Sequence, residues 1–159
     1  MKSDSSPYLK EGRLADVIAA ITALGLYKFY KLSFAGWAER IGGDDGDAER
    51  WQAVFRDHPE FFRINPDGDK ASLVWRRQQP QNYDVDGNVC VDKKTALDKP
   101  GGLRLSRKPL EPSEVSALIA LAVDMHDRAL EQSKASRWWI PIVTGALAFA
   151  GGVAGGMLT

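Results

Sequence analysis

The chain has 159 residues, with 21 Lys+Arg against 21 Asp+Glu, two histidines and one cysteine. Zero formal charge argues against a generally basic nucleic-acid binder and leaves only a local basic patch for that role. One cysteine excludes an intramolecular disulfide framework and any multi-cysteine metal site, and His58 and His126 leave little for a histidine-based metal centre.

The first eight residues hold no apolar run, so they read as a flexible segment and not as a secretory signal. Leu14, Val17, Ile18, Ile21 and Leu24 then share one helical face, with Gly25 as the expected stop. Tyr27 to Leu32, aromatic-rich and loosely alternating, predicts a short strand. Ser33 is placed to cap a second helix, in which Phe34, Trp37, Ala38 and Ile41 recur at helical spacing before Gly42 and Gly43 end it. Asp47 is placed to cap a third, with Trp51, Val54 and Phe55 inward and Pro59 closing it. Two β-prone runs, 61–64 and 71–75, flank the turn Asn65-Pro66-Asp67-Gly68-Asp69 and predict a hairpin.

The order helix, strand, helix, helix, hairpin over residues 9–77 resembles the winged helix-turn-helix fold, with 66–70 as the wing tip. The resemblance rests on element order. It departs from the pattern between the second and third helices, where Gly42 to Asp47 is longer than the usual turn. In DNA-binding members the third helix enters the major groove and the wing touches the backbone. The positions that match here are Arg50 and Arg56 on the third helix and Arg63, Lys70, Arg76 and Arg77 on the wing. Glu49, Asp57, Asp67 and Asp69 dilute them, and residues 11–77 carry ten basic and eleven acidic side chains. Phosphate neutralisation dominates non-specific affinity, so protein docking or oligomerisation is the favoured use of the fold over DNA binding. Tyr27, Phe29 and Tyr30, interleaved with Lys28 and Lys31, have the composition of a stacking platform for single strands. A strand with one aromatic face in the core accounts for them more simply.

Residues 78–112 are rich in Pro, Gly, Asp and Lys and read as a linker, with a hairpin pairing 83–85 and 89–91 around Asp86-Gly87-Asn88. The run Asp84 to Asn88 resembles the start of an EF-hand loop, but Val89 and Thr95 stand where Gly and the bidentate Glu belong, so it reads as a plain turn. Cys90 reads as a small buried apolar residue. Lys99, Arg104, Arg107 and Lys108 form a modest basic stretch, with contact to anionic headgroups as a minor use. Residues 113–136 then predict an amphipathic helix through Val115, Leu118, Ala122, Met125 and Ala129, packing on the domain in preference to forming a coiled-coil stalk.

The last charge is Arg137, and residues 138–159 carry none. The segment from Trp138 to Leu158 would be about 31 Å long as a helix, enough to cross a hydrocarbon core. Trp138 and Trp139 suit the headgroup level, and Arg137 before them orients the N-terminal part to the cytoplasm. Thr144, Ala148, Gly152 and Gly156 recur every fourth position, and Gly151 and Gly155 repeat the step beside them. Such a stripe lets two helix backbones approach closely and predicts a homo-oligomer.

These features describe an α+β chain: a winged-helix-like domain, an amphipathic helix and a single C-terminal transmembrane helix over 137–159. No phosphate loop, HExxH, nucleophile elbow or paired cysteine is present in the sequence. His58-Pro59-Glu60 reads as a helix stop. The expected function is non-enzymatic docking at a membrane to an unidentified protein partner, without cofactor or metal. The alternatives are a membrane-tethered DNA-binding regulator and a membrane-perturbing effector whose Gly-rich helix oligomerises.

Overall fold

A computed structural model describes residues 6–98 and 102–135. Among them the chain is α+β, with five α-helices and two small antiparallel sheets. The first unit runs α1 (Arg13–Leu26), β1 (Lys31–Ser33), α2 (Phe34–Gly42), α3 (Ala48–Asp57), β2 (Phe62–Ile64) and β3 (Lys70–Leu73). This is the order expected from the sequence. Its sheet has the order β1-β3-β2.

The local chemistry of each element is legible. The Ser33 side chain accepts a hydrogen bond from the Gly36 N–H at 3.1 Å, closing the first turn of α2. Gly43, at φ +77°, ends the same helix in the left-handed conformation that glycine adopts freely. Trp37 and Ala38 of α2, Val54 and Phe55 of α3 and Val17, Ile21 and Leu24 of α1 are all buried to 1% exposure or less. Burying each such large side chain contributes about 1.5–3 kcal/mol. The Trp37 indole N–H is carried into this core by donating to the Ala71 carbonyl at 2.9 Å.

The long helix α5 (Pro112–Ala135) lies against α1 and shares its core through Val115, Leu118, Ala122 and Ala129. The stalk alternative is therefore not what the described part of this helix does. Gly25 makes the approach possible. A β-carbon there would meet Val115 Cγ2 at 3.0 Å, and the Gly25 carbonyl accepts from the Leu110 N–H at 2.9 Å. Gly25 is thus inside α1 as a packing notch, and the expected stop falls two residues later.

Several expectations are corrected. Residues 27–30 precede the strand, which covers only Lys31–Ser33, because the backbone there turns its carbonyls onto a buried arginine (below). Asp47 occupies the N-cap position of α3, but its side chain does not cap. It is 3.5 Å from Arg50, while Asp44 accepts from the Gly46 N–H at 2.8 Å in the preceding turn. The expected hairpin loses its end, since Trp75–Gln78 form a turn of 3-10 helix. Residues 6–8 are not loose: Tyr8 is 5% exposed and its carbonyl lies 3.0 Å from His126 Nδ1.

The segment 78–112 is more than a linker. It forms β4 (Tyr83–Asp84), β5 (Val89–Cys90), α4 (Lys93–Asp98) and β6 (Leu105–Ser106), with strand order β5-β4-β6. The 83–91 hairpin is present, and Asp84 Oδ1 accepts from the Asp86 N–H at 3.1 Å within its turn. Cys90 is exposed instead of buried, on the edge strand β5, where Val89 is exposed as well.

No helix among the described residues is long and apolar enough to cross a membrane. The expected span 137–159 lies outside the described residues, and with it Arg137, Trp138, Trp139, Thr144, Ala148, Gly151, Gly152, Gly155 and Gly156.

Candidate interaction surface

The six cations selected from the sequence have different fates. Arg76 is fully buried, so it does not belong to a surface that meets nucleic acid. Its Nη1 donates to the carbonyls of Leu24 at 2.9 Å, Tyr27 at 2.5 Å and Phe29 at 3.4 Å. Its Nη2 donates to the carbonyl of Lys28 at 3.5 Å and to that of Arg107. A planar fork with five N–H donors suits this task. The Leu24 carbonyl belongs to the last turn of α1, where carbonyls lack helical partners and the helix dipole is negative. Burial pushes the guanidinium down to about 10, so it keeps its proton at neutral pH.

Arg50 and Arg56 lie on α3. Arg50 is tied across to α1, with Nη2 2.6 Å from Asp16 Oδ1, and it also faces Asp47. Its hydrogen bond and attraction to Asp16 hold its proton more tightly than usual. Asp57, at the end of the same helix, pairs with Lys10 at 2.5 Å and Arg13 at 3.4 Å. Arg56 is exposed. The face of α3 therefore presents a largely neutralised set of charges.

Arg63 and Lys70 lie on the sheet. Strand pairing sets Lys31 and Arg63 on either side of Ser72, and Ser33 beside Lys70. Paired residues point to the same side of a sheet. One face thus carries Lys31, Arg63, Lys70, Ser33 and Ser72, while Leu32, Ala71, Ile64, Phe62 and Leu73 face the core. Lys70 approaches Asp69 at 3.9 Å. Arg77 is exposed, and its carbonyl accepts from Arg107 Nη1 at 2.8 Å.

The sheet face continues into residues 27–30, where the structure joins two stretches far apart in sequence. The Tyr30 N–H donates to Ser106 Oγ at 3.0 Å. Arg107 lies over the Tyr30 ring at 5.1 Å and Arg104 over the Phe29 ring at 5.6 Å. Lys31 and Lys28 approach the same two rings, each at 5.7 Å. Arg40 of α2 lies over Tyr27 at 5.0 Å, and Tyr27 is 5.9 Å from Phe29. Such contacts contribute about 0.5–1 kcal/mol each at exposed sites. Arg104 is also held by Asp86, with Nε 3.0 Å from Oδ2. Among the described residues no carboxylate pairs with Lys28, Lys31, Arg40 or Arg63.

The His58–Glu60 pair, expected only as a helix stop, gains a third member from a distant part of the chain. His58 is fully buried, and its Nδ1 is 3.0 Å from Glu60 Oε1. The Tyr8 hydroxyl donates to the same carboxylate, and its ring meets His58 edge-on at 4.5 Å. Burial alone would raise the Glu60 carboxyl; the hydrogen bonds from His58 and Tyr8 outweigh it and hold the carboxyl below its ordinary range. Burial first, and then the bond to Glu60, push the Tyr8 hydroxyl well above its usual range. Tyr8 stands 50 residues from His58, so only the fold could bring them together. Glu60 also edges a cleft of about 210 Å³ lined by Phe61, Leu73, Trp75, Leu118 and Leu121. Pockets for drug-sized ligands typically measure roughly 300–1,000 Å³, so this cleft accommodates side chains more readily than a cofactor. Among the described residues no group of three His, Cys, Asp or Glu is arranged to hold a metal.

No protein-family model, curated protein or solved structure matches the chain.

Proposed function

We propose that this chain is a membrane-anchored module whose winged-helix-like unit serves protein docking or regulation at the cytoplasmic face, and that it is not an enzyme. The observation that carries the reading is the composition boundary at Arg137. A folded unit rich in both charges leads into 22 residues with none, entered by two tryptophans. In this reading Arg137, Trp138 and Trp139 set the depth, and the small-residue stripe from Thr144 to Gly156 brings copies together. The winged-helix assignment is supported by the element order and the three-stranded sheet. Docking is favoured over reading DNA with α3 by the pairing of Arg50 with Asp16 and of Asp57 with Lys10 and Arg13.

The test is flotation of the full chain with zwitterionic vesicles after alkaline extraction. The chain is expected to stay with the lipid, and Ala148→Asp combined with Gly152→Asp is expected to release it. Recovery of the unaltered chain in the aqueous fraction would overturn the anchor. Cross-linking in the membrane that persists unchanged in Gly152→Leu would count against the stripe as the contact face. A membrane-tethered DNA-binding regulator is the second reading, favoured by the exposed Arg56 and by Arg63, which has no carboxylate partner among the described residues. Absence of retention on duplex DNA at low salt would dispose of it. A membrane-perturbing effector would instead depolarise cells on expression, and the Asp pair would abolish that.

A further inference from the structure

We infer that the aromatic-cationic surface around β1 binds the phosphate-bearing headgroups of an anionic membrane. Lys28, Lys31 and Arg40 are the charges that reach them, and Arg63 extends the surface across the sheet. Three observations converge. The first is charge availability. These four cations have no carboxylate partner among the described residues, whereas Arg50 on α3 is closely paired. The surface is therefore locally basic in a chain of zero net charge.

The second is the aromatic content. Tyr27, Phe29 and Tyr30 are half-buried, with cations drawn up against their rings. Rings hold lysine and arginine at the surface without cancelling their charge, which suits a headgroup layer where cations meet phosphate. Leu26, 47% exposed at the end of α1, adds an apolar side chain beside Tyr27.

The third observation separates lipid from single-stranded nucleic acid. Stacking of bases needs open ring faces. Phe29 and Tyr30 each hold two cations against the ring, and Tyr27 holds Arg40 and meets Trp37 edge-on at 6.1 Å. A base would have to displace them, while a phosphate only has to approach them. Arg76 makes the surface rigid, because it fixes the carbonyls of residues 27, 28, 29 and 107 from beneath.

The inference rests on the membrane reading for where the surface sits, and the headgroup contact itself can be tested apart from the anchor. The full chain is mixed with vesicles of phosphatidylcholine alone or of phosphatidylcholine with about one-third phosphatidylglycerol. The uncharged tail contributes equally to both, so the ratio of the two partition coefficients reports the surface. The unaltered chain is expected to favour the anionic vesicles, and Lys28→Glu, Lys31→Glu and Arg40→Glu together to lower the ratio by about 100-fold. Raising the salt from 0.05 to 0.5 M should shrink the preference in the same direction. A ratio near one for the unaltered chain, or one unchanged by the triple substitution, overturns the inference. So does loss of retention on a single-stranded oligonucleotide in the triple variant with vesicle preference intact. Failure to bind phosphatidylcholine vesicles, with the anionic preference kept, would overturn the anchor and leave the headgroup surface standing. A Lys28→Gln, Lys31→Gln, Arg40→Gln variant with an unchanged melting temperature guards against loss of folding, and its ratio should fall by a smaller factor.

Discussion

Two faces of the same small unit carry arginine and lysine, and they use them in opposite ways. On α3, Arg50 reaches across to Asp16 and turns back to Asp47, and Asp57 gathers Lys10 and Arg13. The charge there fastens helix to helix. Around β1, Lys28, Lys31 and Arg40 rest against aromatic rings, and Arg63 flanks Ser72 on the sheet. Rings leave a cation's charge intact, whereas carboxylates cancel it. Counting basic residues along the sequence ranks α3 and the wing alike; the partners of each residue distinguish them.

The largest expected loss of stability follows the removal of Arg76. Arg76→Met takes from the carbonyls of Leu24, Tyr27 and Arg107 the buried guanidinium that donates to them, and leaves Arg107 only the long bond from the Ser106 hydroxyl. It should cost about 3–5 kcal/mol in chemical denaturation and should loosen the β1 face while leaving α3 paired. Arg76→Lys should rescue little, since one ammonium cannot span the same set of acceptors. Next in size is Gly25→Val. The added side chain meets Val115 and the loop at Leu110, so about 1–3 kcal/mol should be lost, with α5 displaced from α1.

Glu60 and Tyr8, packed beside the buried His58, make a third use of charge that a pH scan reads out. The Glu60 carboxyl is held below its ordinary range, so its contribution is present above about pH 4.5 and is lost as pH falls through its lowered value in the folded chain. Tyr8 works in the other direction. Its hydroxyl is raised, so its contribution is full below about pH 10 and is lost as pH rises. The melting temperature should fall at both ends of the scan. Glu60→Gln should flatten the acid limb, and Tyr8→Phe should flatten the alkaline one. The smallest effect belongs to Arg50→Ala. Its ion pair is half exposed, so stability should change by about 1 kcal/mol or less, and the anionic-lipid preference should not move.

The core was legible in the sequence because apolar spacing carries it: Val17, Ile21 and Leu24, then Trp37 and Ala38, then Trp51, Val54 and Phe55 fall inward as their periodicity requires. Ser33 and Gly43 were legible as caps for local reasons. Local pattern does not say which of two adjacent arginines turns inward. Arg76 is buried and Arg77 exposed because the end of α1 leaves carbonyls that only a long forked donor at 76 reaches. Nor does it reveal that 104–107 lies beside 27–30, since the pairing of β6 with β4 and the Tyr30–Ser106 bond are long-range. Polar composition led 78–112 to read as a linker. Its strands of two residues are too short for alternation to show.

The β1 face, and not α3, is proposed to meet an anionic membrane. Hydrogen exchange of the full chain in nanodiscs tests it residue by residue, comparing discs that contain phosphatidylglycerol with discs of phosphatidylcholine alone. Exchange should slow at residues 27–31 and 104–107 in the anionic discs, with 48–57 unchanged. Slowing at 48–57, or no difference at 27–31, would contradict it.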